Sequence, residues 1–248
     1  MPKPQSNSAT ENASSDSQSP KKRSLLFRML TAFFLILIVY AGVLFIPAGT
    51  LSFWQAWVYL AVLIVPTFSG YCYIYRFDPE LLERRMRQKE QVREQKLLMR
   101  WVKPLFLVFF MVPGLDYRFA WSKTLLGAVP LWLTVLSNAI ALAAILFVMW
   151  CFSYNRFAAR TIQVEAEQKV ITTGPYRFVR HPMYAGSAVL FLFTPLALGS
   201  WIAMPAVALW APFYAVRILS EEKVLREQLA GYSEYCERTR CRLIPLVW

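Results

Sequence analysis

The chain has a single histidine, His181, among its 248 residues, which excludes H-E-x-x-H and the other metal motifs that need several histidines. Its four cysteines, Cys72, Cys151, Cys236 and Cys241, form no C-x-x-C pair and indicate neither a zinc site nor a disulfide framework. The nine glycines are scattered and form neither a P-loop nor a G-x-G-x-x-G turn. No metal site is predicted, and a nucleotide-like ligand would need another kind of binding site.

Acidic residues are also few, because 15 Asp and Glu stand against 27 Lys and Arg, for a net charge of +12. What the chain has instead is apolar: 57% of its residues are hydrophobic and they lie in long blocks, which is too apolar for a soluble domain of this size. Blocks of about 20 apolar residues can cross a hydrocarbon core about 30 Å thick. The composition therefore predicts an all-α integral membrane protein.

About six membrane helices are predicted from residues 25–46, 53–75, 104–115, 125–154 and 183–216. The third block has only 12 residues and two prolines, so it spans only if residues 97–103 contribute and the basic side chains there snorkel. The last block has 34 uncharged residues, or about 51 Å as one helix. Gly199-Ser200 is expected to fold it into a hairpin of two short helices.

The distribution of basic residues predicts the orientation. Only Arg118 and Lys123, of the 27 basic residues, fall on the far side when the segments alternate, so both termini and a helical C-terminal segment are expected in the cytoplasm. This asymmetry also accounts for the net charge without a nucleic-acid partner, for which no recognition motif is present.

The chain is expected to form one membrane domain, residues 21–248, after a tail. Residues 1–20 are rich in Ser, Asn, Gln and Pro, which predicts disorder. Residues 76–103 hold nine basic and five acidic residues and are expected to form an amphipathic cytoplasmic segment whose helix begins at Pro79.

Two polar segments border the last hairpin. Residues 174–186, "GPYRFVRHPMYAG", precede it, and "RILSEEK" follows Val216. Because a hairpin brings its start and end side by side, these segments are expected to form one rim. The rim contains Tyr176, Arg177, Arg180, His181, Tyr184, Arg217, Glu221 and Glu222. Ionisable groups at this depth are costly unless they are paired or belong to a site, although Arg and Tyr also serve as membrane anchors.

The same segments carry a family resemblance. "GPYRFVRHPMYAG", the apolar hairpin and "EEKVLREQLAGYSEYCERTRCRLIP" resemble the isoprenylcysteine carboxyl methyltransferase family, whose catalytic half is similar to that of phospholipid methyltransferases. Upstream, "DPELLERRM" and "GLDYRFAWS" look like the bacterial branch of that family. The resemblance implies a methyltransferase of the bacterial inner membrane that uses S-adenosyl-L-methionine, with its active site on the cytoplasmic side and with residues 155–248 as the catalytic and cofactor-binding half.

The resemblance also implies roles for single residues. Its cofactor pocket would contain Gln163, Gln168, Lys169, Val170, Ile171, Tyr176, His181, Pro182, Met183, Tyr184 and one or both of Glu221 and Glu222. Arg217 and Arg180 would contact the substrate, and Arg217, Glu221 and Glu222 form the implied catalytic set. Relatives often have a histidine where Gln168 stands, and the spacing from the glutamates to Gly231-Tyr232 differs by about a residue from that of the eukaryotic enzymes. Which glutamate contacts the cofactor therefore stays open.

The acceptor is expected to be apolar or linked to lipid, so that membrane lipids are the predicted partners. A carboxylate acceptor is already anionic and needs no general base, and Arg217 could hold it through two hydrogen bonds; this favours carboxyl O-methylation. A phospholipid amine must first lose a proton, to His181 or to a glutamate, and this N-methylation stays open. A non-catalytic transporter or sensor on the same scaffold is the alternative from another class, although no internal repeat and no mid-membrane charge supports a transporter.

Overall fold

The computed structural model describes residues 8–87, 93–155, 168–245, 247 and 248. Within these ranges the regular structure is helical, as the composition predicts. The α-helices are α1 (Ser8–Ala48), α2 (Trp54–Phe77), α3 (Pro79–Arg87), α4 (Arg93–Phe119), α5 (Trp121–Leu125), α6 (Leu131–Tyr154), α7 (Pro182–Ala197), α8 (Trp210–Gln228) and α9 (Tyr232–Arg238). Two 3₁₀ helices, Gly174–Arg177 and Met204–Leu209, precede α7 and α8.

The first helix starts earlier than expected. Residues 8–20 belong to α1, although their composition predicts a disordered tail. They adjoin the apolar part of the same helix, and extending an existing helix needs no new nucleus, which is the costly step in forming a helix. Residues 1–7 lie outside the described residues.

Among the described residues, three helices are long and apolar enough to cross a membrane: Arg23–Ala48 of α1, Trp54–Phe77 and Leu131–Tyr154. The other helices of the expected six differ from that pattern. α4 has 27 residues with Pro104 and Pro113 inside it, and it begins at Arg93, so the residues before the third apolar block do contribute to the helix. α7 has 16 residues, which corresponds to about 24 Å. An integral membrane protein is supported, and its number of spans beyond three stays a prediction.

The last apolar block folds into the expected hairpin at Gly199-Ser200. Gly199 has φ +73°, in the left-handed region that glycine tolerates, and the Ser200 amide donates to the Pro195 carbonyl at 2.8 Å. The Met204–Leu209 3₁₀ helix then leads the chain into α8.

A buried carboxylate holds this turn to the end of α4. Asp116, 4% exposed, accepts a hydrogen bond from the Ser122 amide at 2.6 Å and one from the Ser200 hydroxyl at 2.5 Å. The Ser122 hydroxyl also donates to Asp116 and accepts from the Trp201 amide at 2.8 Å. Asp116 therefore joins three chain segments at the end of the molecule opposite the polar rim.

Helix α7 lies in the predicted catalytic half of the domain and packs against α6, which precedes that half. This is the most extensive contact between two of the described helices. Gly186 permits it, because a Cβ there would lie 2.7 Å from a Val148 methyl group. Beside this contact the core is rich in aromatic side chains and contains Tyr59, whose hydroxyl lies 2.6 Å from that of Thr194. The close contact with α6 fixes the position of α7 along the axis of α6.

Helix α3 begins at Pro79, as expected, and the Asp78 side chain accepts a hydrogen bond from the Leu81 amide at 3.1 Å. Leu82 is fully buried in a cluster with Leu25 and Met29. Residues 79–87 therefore form a helix that packs against α1 through Leu82, and the cytoplasmic surface position of this segment stays a prediction. Residues 88–92 lie outside the described residues, and residues 93–103 belong to α4 instead.

Candidate active site

The structure brings the start and end of the last hairpin together, as the sequence predicts. The 3₁₀ helix Gly174–Arg177 leads to His181, after which Pro182 begins α7. The C-terminal segment lies alongside, because the Arg180 amide donates to the Cys241 carbonyl at 3.0 Å and the His181 amide donates to the Arg242 carbonyl at 2.9 Å. The start of α7, the polar end of α8 and residues 239–242 thus form one cluster.

Three side chains form a hydrogen-bonded chain between α7 and α8. The Tyr184 hydroxyl donates to Glu221 Oε2 at 2.6 Å and accepts from Arg217 Nε at 3.1 Å. Arg217 is 4% exposed, whereas Glu221 is partly exposed. A tyrosine hydroxyl thus joins a buried guanidinium to a carboxylate that solvent can reach.

The neighbouring glutamate, Glu222, faces a different set of partners. Its Oε1 accepts a hydrogen bond from Arg180 Nε at 2.7 Å and lies 3.3 Å from His181 Nε2. Its Oε2 lies 3.3 Å from Arg226 and 3.2 Å from Arg242. Consecutive residues on a helix are about 100° apart, so Glu221 and Glu222 point in different directions. The two glutamates therefore have different environments.

The Glu222 carboxylate is stabilised in its charged form. Burial alone raises the pKa of this carboxyl, but the hydrogen bonds with His181 and Arg180 outweigh burial and lower the pKa to about 2. Glu222 is 2% exposed. A buried carboxylate with this many partners fixes the geometry around it, and its charge is already paired with them.

Arg180, which was predicted to contact the substrate, is held by several protein groups. Besides Glu222, its guanidinium donates through NH1 to the carbonyls of Thr239 at 2.7 Å and Arg240 at 2.8 Å. It is 6% exposed. These contacts tie α8 and the C-terminal segment to the start of α7, whereas Arg217 contacts Tyr184. The role of Arg180 toward a substrate stays a prediction.

Several residues of the expected cofactor pocket lie at one side of this cluster. Val170 packs against a buried cluster of Leu229, Tyr232 and Tyr235. The Tyr235 hydroxyl donates to the Tyr176 carbonyl at 2.6 Å, which fixes the 3₁₀ helix. Burial raises the pKa of the Tyr176 and Tyr235 hydroxyls, so both stay neutral phenols near pH 7.

The remaining predicted residues are placed as follows. Gln168, Lys169 and Ile171 lie in the irregular segment before the 3₁₀ helix, Lys169 being exposed. Pro182 is buried in the first turn of α7, and Met183 is half-buried beside it. Gln163 lies outside the described residues. The roles of all these residues toward a cofactor stay predictions.

Sequence reasoning missed Arg226 and Arg242 as partners of Glu222. The spacing of Glu222 and Arg226, four residues apart on a helix, was a signal that could have found the first pair. Arg242 is 20 residues from Glu222 along the chain, so no local sequence pattern indicates that the two side chains are in contact.

Two comparisons with known proteins agree with the resemblance. The family model of phospholipid methyltransferases matches residues 131–231. Among solved structures, the chain is similar to the eukaryotic intramembrane Ras methyltransferase ICMT (isoprenylcysteine carboxyl methyltransferase), solved without a monobody. The TM-score is 0.55 at 17% sequence identity, and the match covers 98% of this chain and 88% of that chain. Among curated proteins, no sequence matches the chain significantly.

The family match supports the resemblance to phospholipid methyltransferases over residues 131–231, and the solved structure supports a fold of the isoprenylcysteine carboxyl methyltransferase type. The family match spans α6, α7 and α8 and ends just before α9, and it includes Tyr184, Arg217 and Glu221. The similarity to the solved structure concerns the fold.

Proposed function

We propose that this chain is an integral-membrane, S-adenosyl-L-methionine-dependent methyltransferase whose site lies at the cytoplasmic boundary, between α7 and α8. The observation that carries the proposal is the hydrogen-bonded chain from Arg217 through Tyr184 to Glu221. It lies within the segment that matches the phospholipid methyltransferase family.

The residues present fit the proposed cofactor. When bound, S-adenosyl-L-methionine supplies an electrophilic methyl group on a sulfonium cation. Carboxylates and neutral aromatic rings attract such a cation, and the site offers the partly exposed Glu221 together with Tyr176 and Tyr184. The carboxylate of Glu222 is already paired with its arginine partners, so we assign the cofactor-facing role to Glu221 and a structural role to Glu222.

The leading reaction is O-methylation of a carboxylate on an apolar or lipid-linked molecule, of the isoprenylcysteine type. Arg217 is a buried cation within reach of α7, and a guanidinium can hold a carboxylate through two parallel hydrogen bonds. Because this acceptor is already anionic, no proton has to be removed from it. The work of the protein is then to orient the acceptor and to exclude water, and orientation alone contributes up to about 7–11 kcal/mol in well-positioned reactions.

A phospholipid amine is the second candidate, and the family match to phospholipid methyltransferases favours it. A protonated amine has no free electron pair, so a base must take its proton first. Glu221 is the candidate base, with its proton path through the Tyr184 hydroxyl at 2.6 Å. The buried positive charge of Arg217 repels a cationic acceptor, and a carboxylate acceptor is therefore the leading candidate.

Calorimetric binding of S-adenosyl-L-methionine, which carries the sulfonium cation, to the detergent-purified full chain tests the cofactor. Wild type should bind, and Glu221→Gln should bind about tenfold or more weakly, the effect of losing one hydrogen bond to a charged group. Glu227→Gln, an exposed carboxylate on the same helix, is the matched control and should bind like wild type. A folded wild-type sample that does not bind would overturn the proposal.

A transfer assay then separates the two acceptors. Labelled methyl donor is supplied with either a prenylated cysteine that has a free carboxylate or vesicles of phosphatidylethanolamine. Base-labile label on the prenylated cysteine supports O-methylation, whereas base-stable label on the phospholipid would replace it with N-methylation.

A further inference from the structure

A cleft on another face of α8 is not used by the proposed reaction. It has a volume of about 290 Å³ and is lined by Leu219, Glu222, Lys223, Arg226, Glu227 and Arg242. The five α8 residues follow the i, i+3, i+4, i+7, i+8 spacing of one helix face. Arg217 and Glu221 lie on a different face, toward Tyr184. α8 therefore separates the candidate active site from this cleft.

The cleft has more positive than negative charge available to a ligand. The lining has three cations, Lys223, Arg226 and Arg242, against two carboxylates, Glu222 and Glu227. The charge of Glu222 is already matched by its 2.7 Å contact with Arg180, so the three cations face one unmatched carboxylate. The contacts of Arg226 and Arg242 with Glu222 are longer, at 3.3 and 3.2 Å. Each arginine contacts Glu222 through one guanidinium nitrogen. Because a guanidinium has five N–H donors, both arginines can also donate to another oxyanion.

An apolar stripe leads directly to these cations. Val216 and Leu219 are 48% and 49% exposed, and with Lys223 they have the spacing i, i+3, i+7 along α8. In a helix whose polar end leaves the membrane, this order places the exposed apolar side chains nearer the acyl chains and the cations nearer the headgroups. The pattern matches a molecule with an anionic head and hydrocarbon tails.

We propose that this cleft binds the phosphate of an anionic phospholipid, with Lys223, Arg226 and Arg242 around the phosphate and the acyl chains along Val216 and Leu219. Basic groups at the cytoplasmic face of a membrane recognise such headgroups. Arg242 belongs to the segment whose carbonyl accepts the His181 amide. The lipid therefore strengthens the contact between the C-terminal segment and the start of α7.

The test uses the full chain in a neutral detergent. Short-chain phosphatidylglycerol and phosphatidylcholine with the same acyl chains are titrated separately while the unfolding temperature is measured. Phosphatidylglycerol should give a saturable increase and phosphatidylcholine should not. In the Lys223→Gln/Arg226→Gln double variant, the apparent affinity should fall about fivefold for each cation removed. Arg238→Gln, the same change at an exposed position outside the cleft, should keep the wild-type response.

Two outcomes would overturn the proposal. An equal loss in Arg238→Gln would mean that the lipid responds to general surface charge, and an equal stabilisation by inorganic phosphate would mean that the site binds a soluble anion. S-adenosylhomocysteine binding by the double variant checks that it is folded. If it is not folded, the single Lys223→Gln variant, at an exposed position, provides the same comparison.

Discussion

Replacing Glu222 with glutamine should destabilise the protein far more than replacing any exposed carboxylate of α8. The carboxylate is buried and lies 2.7 Å from Arg180, with His181, Arg226 and Arg242 also within 3.3 Å. Its pKa falls from the ordinary 4.5 to about 2, which at about 1.4 kcal/mol per pH unit corresponds to about 3 kcal/mol of stabilisation. Removing one partner of a buried ion pair typically costs about 3–5 kcal/mol, so both routes give a similar magnitude.

The same carboxylate predicts how stability depends on pH. Because its folded pKa is lower than its ordinary value, the stabilisation is complete above about pH 4.5 and is lost as the pH falls toward 2. Wild type should therefore lose about 3 kcal/mol of unfolding free energy across this window through Glu222. Glu222→Gln should lack this contribution and show a flatter dependence there.

Denaturant unfolding in detergent micelles, followed at several pH values, measures both effects. Glu227→Gln is the matched control on the same helix and should stay within about 0.5 kcal/mol of wild type, as is usual for exposed substitutions. If Glu222→Gln is as stable as this control at pH 7, or if its acid sensitivity equals that of wild type, then Glu222 does not hold the cluster together.

Three further predictions concern other parts of the molecule. Tyr184→Phe should lower kcat/KM of the folded protein by about tenfold or more, since it removes hydrogen bonds to Glu221 and Arg217; unchanged activity would remove Tyr184 from the site. Asp116→Ala should cost about 2–5 kcal/mol of stability by leaving buried donors unpaired, without changing S-adenosylhomocysteine affinity once folded; an unfolding curve like that of wild type would contradict this. Gly186→Leu should lower the free energy of unfolding by about 1–3 kcal/mol through overpacking between α6 and α7. Ser187→Ala is the neighbouring control, and equal effects of the two substitutions would mean that the α6–α7 contact tolerates a larger side chain.

The features that the sequence predicted correctly depend on local chemistry. The hairpin turn at Gly199-Ser200 follows from a block too long for one span, and the start of α3 follows from a proline at a first helical position. The meeting of residues 174–186 with the polar end of α8 follows from that turn. None of these needs knowledge of how the helices are rotated about their axes.

The division of labour between Glu221 and Glu222 does depend on that rotation. Both glutamates are adjacent in sequence and have the same chemistry, and only the packing of α8 against α7 decides which one meets Tyr184. The contacts of Arg180 with Thr239 and Arg240 span 59 and 60 residues, so no local pattern indicated its structural role. The number of membrane spans was also difficult to predict from local patterns, because α4 is a continuous helix although it contains two prolines.

The opposed directions of Glu221 and Glu222 also make the length of α8 a constraint in protein engineering. Adding or deleting one residue between Trp210 and Arg217 would turn the remaining helix by about 100°, so a glutamate would still be present but would face the wrong neighbours. Libraries of this protein should therefore vary side-chain identity in α8 while keeping its residue count fixed. Length variation is better placed in the loop between α5 and α6, which lies away from both glutamates.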